Sequence, residues 1–155
     1  MKRVVFVCHG NICRSPMAEF VLHHMLRSAH RTDVEVASRA TSREEIWGSV
    51  GNPIYPPAAR ELTRHGIPYD RDKRATQLSA ADCREYDLLV VMDDNNMRNL
   101  LRMYPEAAGK AHKLLDYCGG GNVADPWYTD DFETAYRDIE RGCRALLAAL
   151  DSPHT

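Results

Sequence analysis

The 155-residue sequence has no long hydrophobic run, no low-complexity tract and no internal repeat. Its first residues, MKRVVFVC, begin with basic side chains, but the apolar run that follows is short and ends in polar residues. This pattern fits neither a signal peptide nor a membrane anchor, so we expect a cytoplasmic protein. The length suits one compact core, and we expect a single domain over residues 1–155.

Neither sign of charge dominates the sequence, because the formal net charge is only -2. A charge this small gives no general attraction to nucleic acid or to an anionic membrane. We therefore expect no nucleic-acid partner and no membrane partner. Any anionic ligand has to be bound by a local arrangement of residues.

The sequence also lacks a CxxC pair. Its five cysteines are an odd number, which favours free thiols over a disulfide framework. Cys83, Cys118 and Cys143 stand singly, without a histidine at ligand spacing, and this argues against a structural zinc site. We expect no metal and no cofactor.

Apolar strand patterns alternate with helical patterns along the chain. Strands are predicted at residues 3–7, 33–38, 87–92 and 112–117, and helices at residues 15–29, 56–65, 95–104 and 132–150. This alternation predicts a three-layer α/β fold with a four-stranded parallel sheet and helices on both faces. Aperiodic segments expected to wall a site are residues 39–55, 66–78 and 116–130.

The segment CHGNICRS, residues 8–15, connects the first predicted strand to the first predicted helix. Ligands of parallel sheets bind at this edge, where backbone N–H groups and the helix dipole attract anions. Arg14 adds a planar fork that matches two phosphate oxygens. We therefore predict a phosphate-binding loop after the first strand, formed by His9, Gly10, Asn11, Ile12, Cys13, Arg14 and Ser15.

Cys8 stands at the base of this predicted loop. The positive field that attracts phosphate also favours its thiolate, so Cys8 is the predicted nucleophile. Ser15 has two candidate roles, a hydrogen-bond donor to that thiolate and the N-cap of the following helix, with Pro16 in the first helical position. Asn11 is either a turn residue or an amide that stiffens the loop.

The stretch VCHGNICRSPMAE resembles the signature of the low-molecular-weight protein tyrosine phosphatases. Asp125-Pro126, followed by Trp127 and Tyr128 before the last helix, is similar to a second motif of that family. The resemblance implies hydrolysis of phosphotyrosine and small aryl phosphates through a cysteinyl-phosphate. It makes Cys8, Arg14 and Asp125 the catalytic residues, with Asp125 as general acid and then general base.

Other positions are assigned through the same resemblance. Trp127, Tyr128 and Trp47 are expected to line an aromatic slot that phosphoserine is too short to use. Asp130 and Asp131 are weaker candidates for the acid, since they precede a helix. Supporting roles are implied for Asp93 and Asn96, with Asp93 or Asp94 as a helix cap. Where many relatives carry a histidine, this chain has residues 71–74, RDKR.

Several alternatives remain open at this point. Phosphoarginine phosphatases resemble this loop but carry threonine where this chain has the bulkier, apolar Ile12. A thiol-dependent arsenate reductase or a non-catalytic phosphate-binding module could use the same loop. The expected partners are phosphotyrosine-containing proteins, including a tyrosine kinase, and phosphate or other oxyanions. Cys13 is a candidate redox partner of Cys8, and the chain is expected to be a monomer or a weak dimer.

Overall fold

The main sheet consists of four parallel strands, as predicted. In the computed structural model, which describes residues 1–151, these are β1 (Lys2–Cys8), β2 (Val34–Ala40), β5 (Leu88–Val91) and β6 (Ala111–Lys113), in the order β2-β1-β5-β6. A separate two-stranded hairpin is formed by β3 (Ile46–Trp47) and β4 (Val50–Gly51). Strand β1 lies between β2 and β5. Because Cys8 is its last residue, Cys8 lies at the carboxyl edge of the sheet, directly opposite Ala40 of β2.

Helices cover both faces of the sheet. They are α1 (Arg14–Ser28), α2 (Pro56–Arg64), α3 (Ala80–Glu85), α4 (Asp94–Met103), α5 (Pro126–Thr129) and α6 (Phe132–Leu150). Side chains of β1 alternate between two apolar cores: Val4 and Phe6 pack with α1 and α6, whereas Val5 and Val7 pack toward α3 and α4. This confirms the predicted three-layer α/β architecture.

The fourth predicted strand is shorter than expected. Only Ala111–Lys113 pair with β5, and the chain continues as a 3₁₀ segment over Leu114–Cys118. Leu114 and Leu115 are both buried, so consecutive side chains have to face the core, which an extended edge strand does not allow. The apolar run that suggested a strand is therefore the packing surface under α6.

Two helix starts also differ from the predictions. Helix α1 begins at Arg14 with Cys13 in the N-cap position, so Ser15 lies inside the helix and is not its cap. Helix α3 was not predicted, although Ser79 and Asp82 form a capping box that marks its start. Within residues 1–151, no helix has both the length and the apolar character needed to span a membrane.

Candidate active site

The loop between β1 and α1 is held by backbone hydrogen bonds on both sides. The N–H of Thr41 donates to the carbonyl of Cys8 at 2.9 Å, and the N–H of Tyr55 donates to the carbonyl of Ile12 at 2.7 Å. Asn11 adopts a left-handed conformation with φ of 59°. These backbone contacts fix the shape of the loop, as an anion-binding cradle requires.

Cys8 lies at the bottom of this loop and is 4% exposed. Its Sγ is 3.0 Å from Oγ of Ser15, and the N–H of Asn11 donates to it at 3.4 Å. Ser15 is fully buried and does not line the cavity above the loop. Its hydroxyl therefore contacts the sulfur and not the ligand space, unlike the phosphate contact predicted for Ser15.

Arg14 is buried and held by a carboxylate and a carbonyl. Its Nη1 donates to Oδ2 of Asp93 at 2.8 Å and to the carbonyl of Val123 at 3.0 Å. Burial works to lower the pKa of Arg14, but the negative charges of Cys8 and two aspartates outweigh burial and raise it. The guanidinium therefore stays charged in a fixed position beside the loop.

Asp93 links Arg14 to the start of a helix. It is the N-cap of α4, where one carboxylate oxygen accepts from the N–H of Asn96 at 2.7 Å while the other binds Arg14. The side chain of Asn96 in turn accepts from the N–H of Met92, the residue that follows β5. These contacts confirm the prediction that Asp93 caps this helix.

Asp125 faces the same cavity from α5. It caps this short helix by accepting from the N–H of Trp127 at 3.1 Å, and its other oxygen lies 3.4 Å from Nη2 of Arg14. Asp130 and Asp131 do not line the cavity. Asp131 instead caps α6, and hydrogen bonds from Thr134 lower its pKa. Of the three aspartates, only Asp125 is placed to act on a bound ligand.

The cavity above the loop has a volume of about 420 Å³, within the range of small-ligand sites. The predicted phosphate-binding residues from His9 to Arg14 line its floor. Trp127 and Tyr128 line its mouth and are 67% and 85% exposed, respectively. These aromatic side chains provide an apolar entrance to a charged floor.

Trp47 is the one predicted substrate-lining residue that the structure does not place at the cavity. It lies in the β3–β4 hairpin and is 73% exposed. The residues that line the cavity from this segment are Glu44 and Glu45, which precede the hairpin. Gly48, with φ of 63°, turns the chain directly after Trp47.

Sequence reasoning missed two aromatic residues of the cavity, Tyr55 and Phe132. The ring of Tyr55 lies 5.9 Å from that of Trp127 and 6.0 Å from that of Phe132, so the three form one wall. A signal for Tyr55 was available, since it ends a predicted wall segment immediately before a helix start. No comparable signal marks Phe132, which follows the helix periodicity of α6.

The side chain of Asn11 supports the loop from behind. Its amide nitrogen donates to the hydroxyl oxygens of Ser15 at 2.8 Å and of Ser38 at 2.9 Å. Its oxygen accepts from Nζ of Lys73 at 2.9 Å and from the N–H of Thr76 at 3.0 Å. Both interpretations of Asn11 are therefore confirmed, because it forms the left-handed turn and also bonds across the loop.

Two ionisable groups end this network. Lys73, from the RDKR segment, binds the Asn11 oxygen, and Glu19 accepts from the Ser38 hydroxyl at 2.6 Å. Burial lowers the pKa of Lys73 and raises the pKa of Glu19. Since the Asn11 amide donates to the oxygen of Ser15, the Ser15 proton is free to point at Cys8.

Cys13 lines the same cavity as Cys8 and is half-buried. Burial raises the pKa of Cys13, and the negative charge of Cys8 adds to the effect. Cys13 therefore remains a thiol and does not compete as nucleophile. Among residues 1–151, no cluster of histidine, cysteine or acidic side chains is placed to hold a metal ion.

Comparisons with known proteins find relatives in sequence and in fold. The sequence model of the low molecular weight phosphotyrosine protein phosphatase family matches residues 3–154. The low molecular weight protein-tyrosine-phosphatase PtpA of Staphylococcus epidermidis is 34% identical over 149 residues, covering 95% of this chain and 92% of the relative. The crystal structure of a low molecular weight protein tyrosine phosphatase from Streptococcus pyogenes is 39% identical, with a TM-score of 0.88, over 99% of this chain and 96% of that one. The Drosophila arginine phosphatase DARP is 28% identical, with a TM-score of 0.86, over 99% of both chains.

Proposed function

Because this chain belongs to the low molecular weight phosphotyrosine protein phosphatase family and is a protein tyrosine phosphatase, we propose that Cys8, Arg14 and Asp125 carry out its reaction. One observation supports this most directly: the sulfur, the guanidinium and the carboxylate all face one cavity, with Asp125 only 3.4 Å from Arg14. A nucleophile, an anion-binding cation and a proton donor are the groups that phosphate-ester hydrolysis requires.

In the first step, the loop N–H groups and Arg14 bind the phosphate dianion of the substrate. The Cys8 thiolate attacks phosphorus, the bond to the tyrosyl oxygen breaks, and the protonated carboxyl of Asp125 transfers its proton to that oxygen. Tyrosine leaves and the phosphate remains on Cys8. Nη2 of Arg14 lies 3.4 Å from Asp125, so a phosphate bound by this guanidinium has its ester oxygen near the carboxyl that protonates it.

In the second step, the carboxylate of Asp125 removes a proton from water, and the water oxygen attacks the cysteinyl-phosphate. The phosphorus–sulfur bond breaks, releasing inorganic phosphate and the Cys8 thiolate. The Ser15 hydroxyl, 3.0 Å from Sγ, donates a hydrogen bond that stabilises the departing sulfur. The positive field comes from Arg14 and the loop N–H groups, so the reaction needs no metal ion.

We propose phosphotyrosine-containing proteins as the substrates, with a tyrosine kinase among them. The aromatic wall of Tyr55, Trp127 and Phe132 is suited to a phenyl ring above a charged floor. The similar Drosophila protein is described as an arginine phosphatase, so phosphoarginine is the competing substrate to test. Ile12, apolar and in the cavity floor, favours the aromatic ester.

Two other uses of the loop fit the structure less well. An arsenate reductase needs further cysteines to carry a disulfide outward, whereas Cys83, a residue of α3, is buried in the core. A phosphate-binding module without turnover needs neither Cys8 nor Asp125 in the cavity. We therefore favour hydrolysis over both.

We also propose a reversible redox control at this site. Peroxide oxidises the Cys8 thiolate to a sulfenic acid and is itself reduced to water. Oxidation removes the negative charge of Cys8 beside Cys13. The Cys13 sulfur then attacks the Cys8 sulfur while its proton passes to the departing hydroxyl, so that a disulfide forms and water leaves, and an added thiol reductant restores both cysteines. The position of Cys13 in the same cavity supports this proposal.

We also propose a cellular location, a domain organisation and an oligomeric state for the enzyme. All five cysteines are free in the described structure, which suits the cytoplasm. Two cores that share one sheet support a single domain over residues 1–155. The exposed aromatics at the cavity mouth, Trp127 and Tyr128, support a monomer that associates weakly.

The test is hydrolysis of para-nitrophenyl phosphate by wild type and Cys8→Ser in the presence of EDTA, with Cys118→Ser as the matched control. We expect release by wild type and the control and none by Cys8→Ser. Peptides carrying phosphotyrosine, phosphoserine or phosphoarginine are compared in parallel, with phosphotyrosine preferred. Vanadate binding without any hydrolysis would contradict the proposal and indicate a binding module.

A further inference from the structure

A second open cavity, of about 680 Å³, lies beside the catalytic one. Three arginines line it, Arg60 and Arg64 of α2 and Arg71 of the segment that follows α2. Tyr69 forms one side, and Ile54 and Ala59 contribute apolar surface. We refer to this surface as the basic groove. Nothing in the proposed reaction uses it.

The basic groove carries concentrated positive charge in a chain whose formal net charge is -2. None of the residues that line it is acidic. Arg64 lies 3.5 Å from the buried carboxylate of Glu61, which neutralises part of its charge. Within residues 1–151, Arg60 and Arg71 form no ion pair, so two exposed guanidiniums are available to a ligand.

The basic groove and the catalytic cavity share one thin wall. Ile54 and Pro56 line the basic groove, whereas Tyr55 between them lines the catalytic cavity. From this wall, Pro56, Arg60 and Arg64 follow one row of α2 at intervals of four residues. That row extends about 12 Å along the helix. A chain leaving the catalytic cavity over Tyr55 would therefore enter the basic groove.

The distances match an extended peptide. An extended chain advances about 3.3 Å per residue, so about four residues cover the row from Pro56 to Arg64. If one residue crosses the wall at Tyr55, these four lie about two to five residues from the phosphotyrosine. The catalytic cavity is lined by Glu44 and Glu45, which disfavour acidic neighbours of the phosphotyrosine there. The basic groove favours acidic residues. The charges of the two surfaces therefore direct an acidic stretch of the peptide to the basic groove and away from the catalytic cavity.

We propose that the basic groove binds an acidic segment of the phosphoprotein substrate, about two to five residues from the phosphotyrosine. This proposal rests on the phosphotyrosine-protein substrates proposed above. The guanidiniums of Arg60 and Arg71 bind the carboxylates, while Tyr69 and Ile54 contact the peptide's aliphatic stems. The basic groove thereby selects among phosphotyrosine sites without contributing to the chemical step.

The experiment compares phosphotyrosine peptides with glutamates on one side, on the other side, or on neither. The variant is Arg60→Glu with Arg71→Glu, and the control is Arg27→Glu with Arg84→Glu, which makes the same charge change at exposed helical arginines elsewhere. We expect wild type and control to have a kcat/KM about fivefold higher for one acidic peptide, mainly through KM. The groove variant should lose that advantage, and all three should hydrolyse para-nitrophenyl phosphate equally.

Three outcomes would overturn the proposal: no preference for either acidic peptide in wild type, a preference that the groove variant retains, or a preference lost equally in the control. Binding of wild type to phosphatidylserine vesicles without any peptide preference would assign the basic groove to a membrane. If the groove variant does not fold, the test is made on wild type alone at low and high ionic strength. A preference for the acidic peptide that comes from the basic groove has to decline at high ionic strength. Hydrolysis of para-nitrophenyl phosphate but of no phosphotyrosine peptide would instead contradict the proposed substrates.

Discussion

The ammonium of Lys73 donates a hydrogen bond of 2.9 Å to the side-chain oxygen of Asn11, across 62 positions of sequence. This contact decides which end of the Asn11 amide faces the lysine and which end faces the catalytic loop. The amide nitrogen therefore points at Ser15, whose proton is left for the sulfur of Cys8. A buried charge behind the loop thus orients a hydrogen bond to the nucleophile.

Replacing Lys73 with methionine should impair catalysis without removing any group that touches substrate. The Asn11 oxygen keeps the N–H of Thr76 but loses its charged donor, and the loss of a hydrogen bond from a charged group costs about 1.5–3 kcal/mol. We expect kcat for para-nitrophenyl phosphate to fall about tenfold or more. Lys113→Met, which removes an ion pair with Asp94 and a hydrogen bond to Asn122, both outside the Asn11 network, is the control and should retain full activity. Equal kcat values for both variants would contradict the orienting role of Lys73.

A pH dependence of stability should trace to Glu19, at the other end of the network. Burial raises the pKa of Glu19 in the folded protein, so the native state holds this proton more tightly than the unfolded chain. The contribution is full below the ordinary glutamate pKa of about 4.3 and is lost as pH rises through the native pKa. We expect the free energy of unfolding of wild type, relative to Glu19→Gln, to decrease over that window. Urea denaturation at a series of pH values measures it, and parallel curves would refute the assignment.

Much of the site follows from local sequence. Cys8 and Arg14 are separated by a short loop between a strand and a helix. The backbone N–H groups of such a loop, together with the dipole of the helix, make it an anion-binding site. Asp125 precedes a proline at a helix start, so its capping position is also encoded locally. The alternation of apolar strands and helices likewise predicted the sheet, because burial on both faces leaves a continuous apolar pattern.

Other features depend on contacts between distant segments. Lys73 and Glu19 meet the loop only through tertiary folding, and nothing near either residue marks it as a support. Trp47 has the residue type expected of a substrate contact, yet the turn at Gly48 belongs to a hairpin outside the cavity. The run at 112–117 reads as a strand, but packing against α6 converts most of it to a 3₁₀ segment.

Asp125→Asn should slow hydrolysis most for substrates with poor leaving groups. Asparagine keeps the size and capping position of the side chain but cannot transfer a proton to the leaving oxygen. We expect a loss of about 100-fold or more in kcat for phenyl phosphate and a smaller loss for para-nitrophenyl phosphate, whose phenolate departs without protonation. Asp131→Asn, a cap of α6 outside the cavity, serves as the control. An equal loss with both substrates would exclude Asp125 as the acid.

Cys13→Ser keeps the backbone N–H groups of the loop, so it should change the recovery of the enzyme from peroxide far more than its basal turnover. Without the Cys13 thiol, oxidised Cys8 has no neighbour to form a disulfide and proceeds to irreversible acids. After equal exposure to peroxide, dithiothreitol should restore wild type and Cys118→Ser but not Cys13→Ser. Activity against para-nitrophenyl phosphate and the mass of the modified peptide measure both states. Full recovery of Cys13→Ser would show that Cys13 does not protect the nucleophile.

Gly51→Ala should destabilise the fold strongly, because β4 passes directly over the segment that carries Lys73. A Cβ atom at Gly51 would lie 2.0 Å from the carbonyl oxygen of Ala75, and both sides of this contact are backbone. The N–H of Ala75 also donates to the carbonyl of Asn52 at 2.9 Å, so neither segment can move away without losing that bond. We expect a loss of about 2–4 kcal/mol in the free energy of unfolding.

For a chain of this size, that loss lowers Tm by about 5–15 °C. The control is Gly109→Ala, because a Cβ atom there meets no neighbour within 4 Å and should leave Tm within about 2 °C of wild type. Activity at a permissive temperature should fall for Gly51→Ala as well, since the shift reaches Lys73 and hence Asn11. If Tm were unchanged and activity lost, residues 51–53 would adjust locally to the added Cβ atom. The contact would then support the catalytic loop without contributing to the stability of the fold.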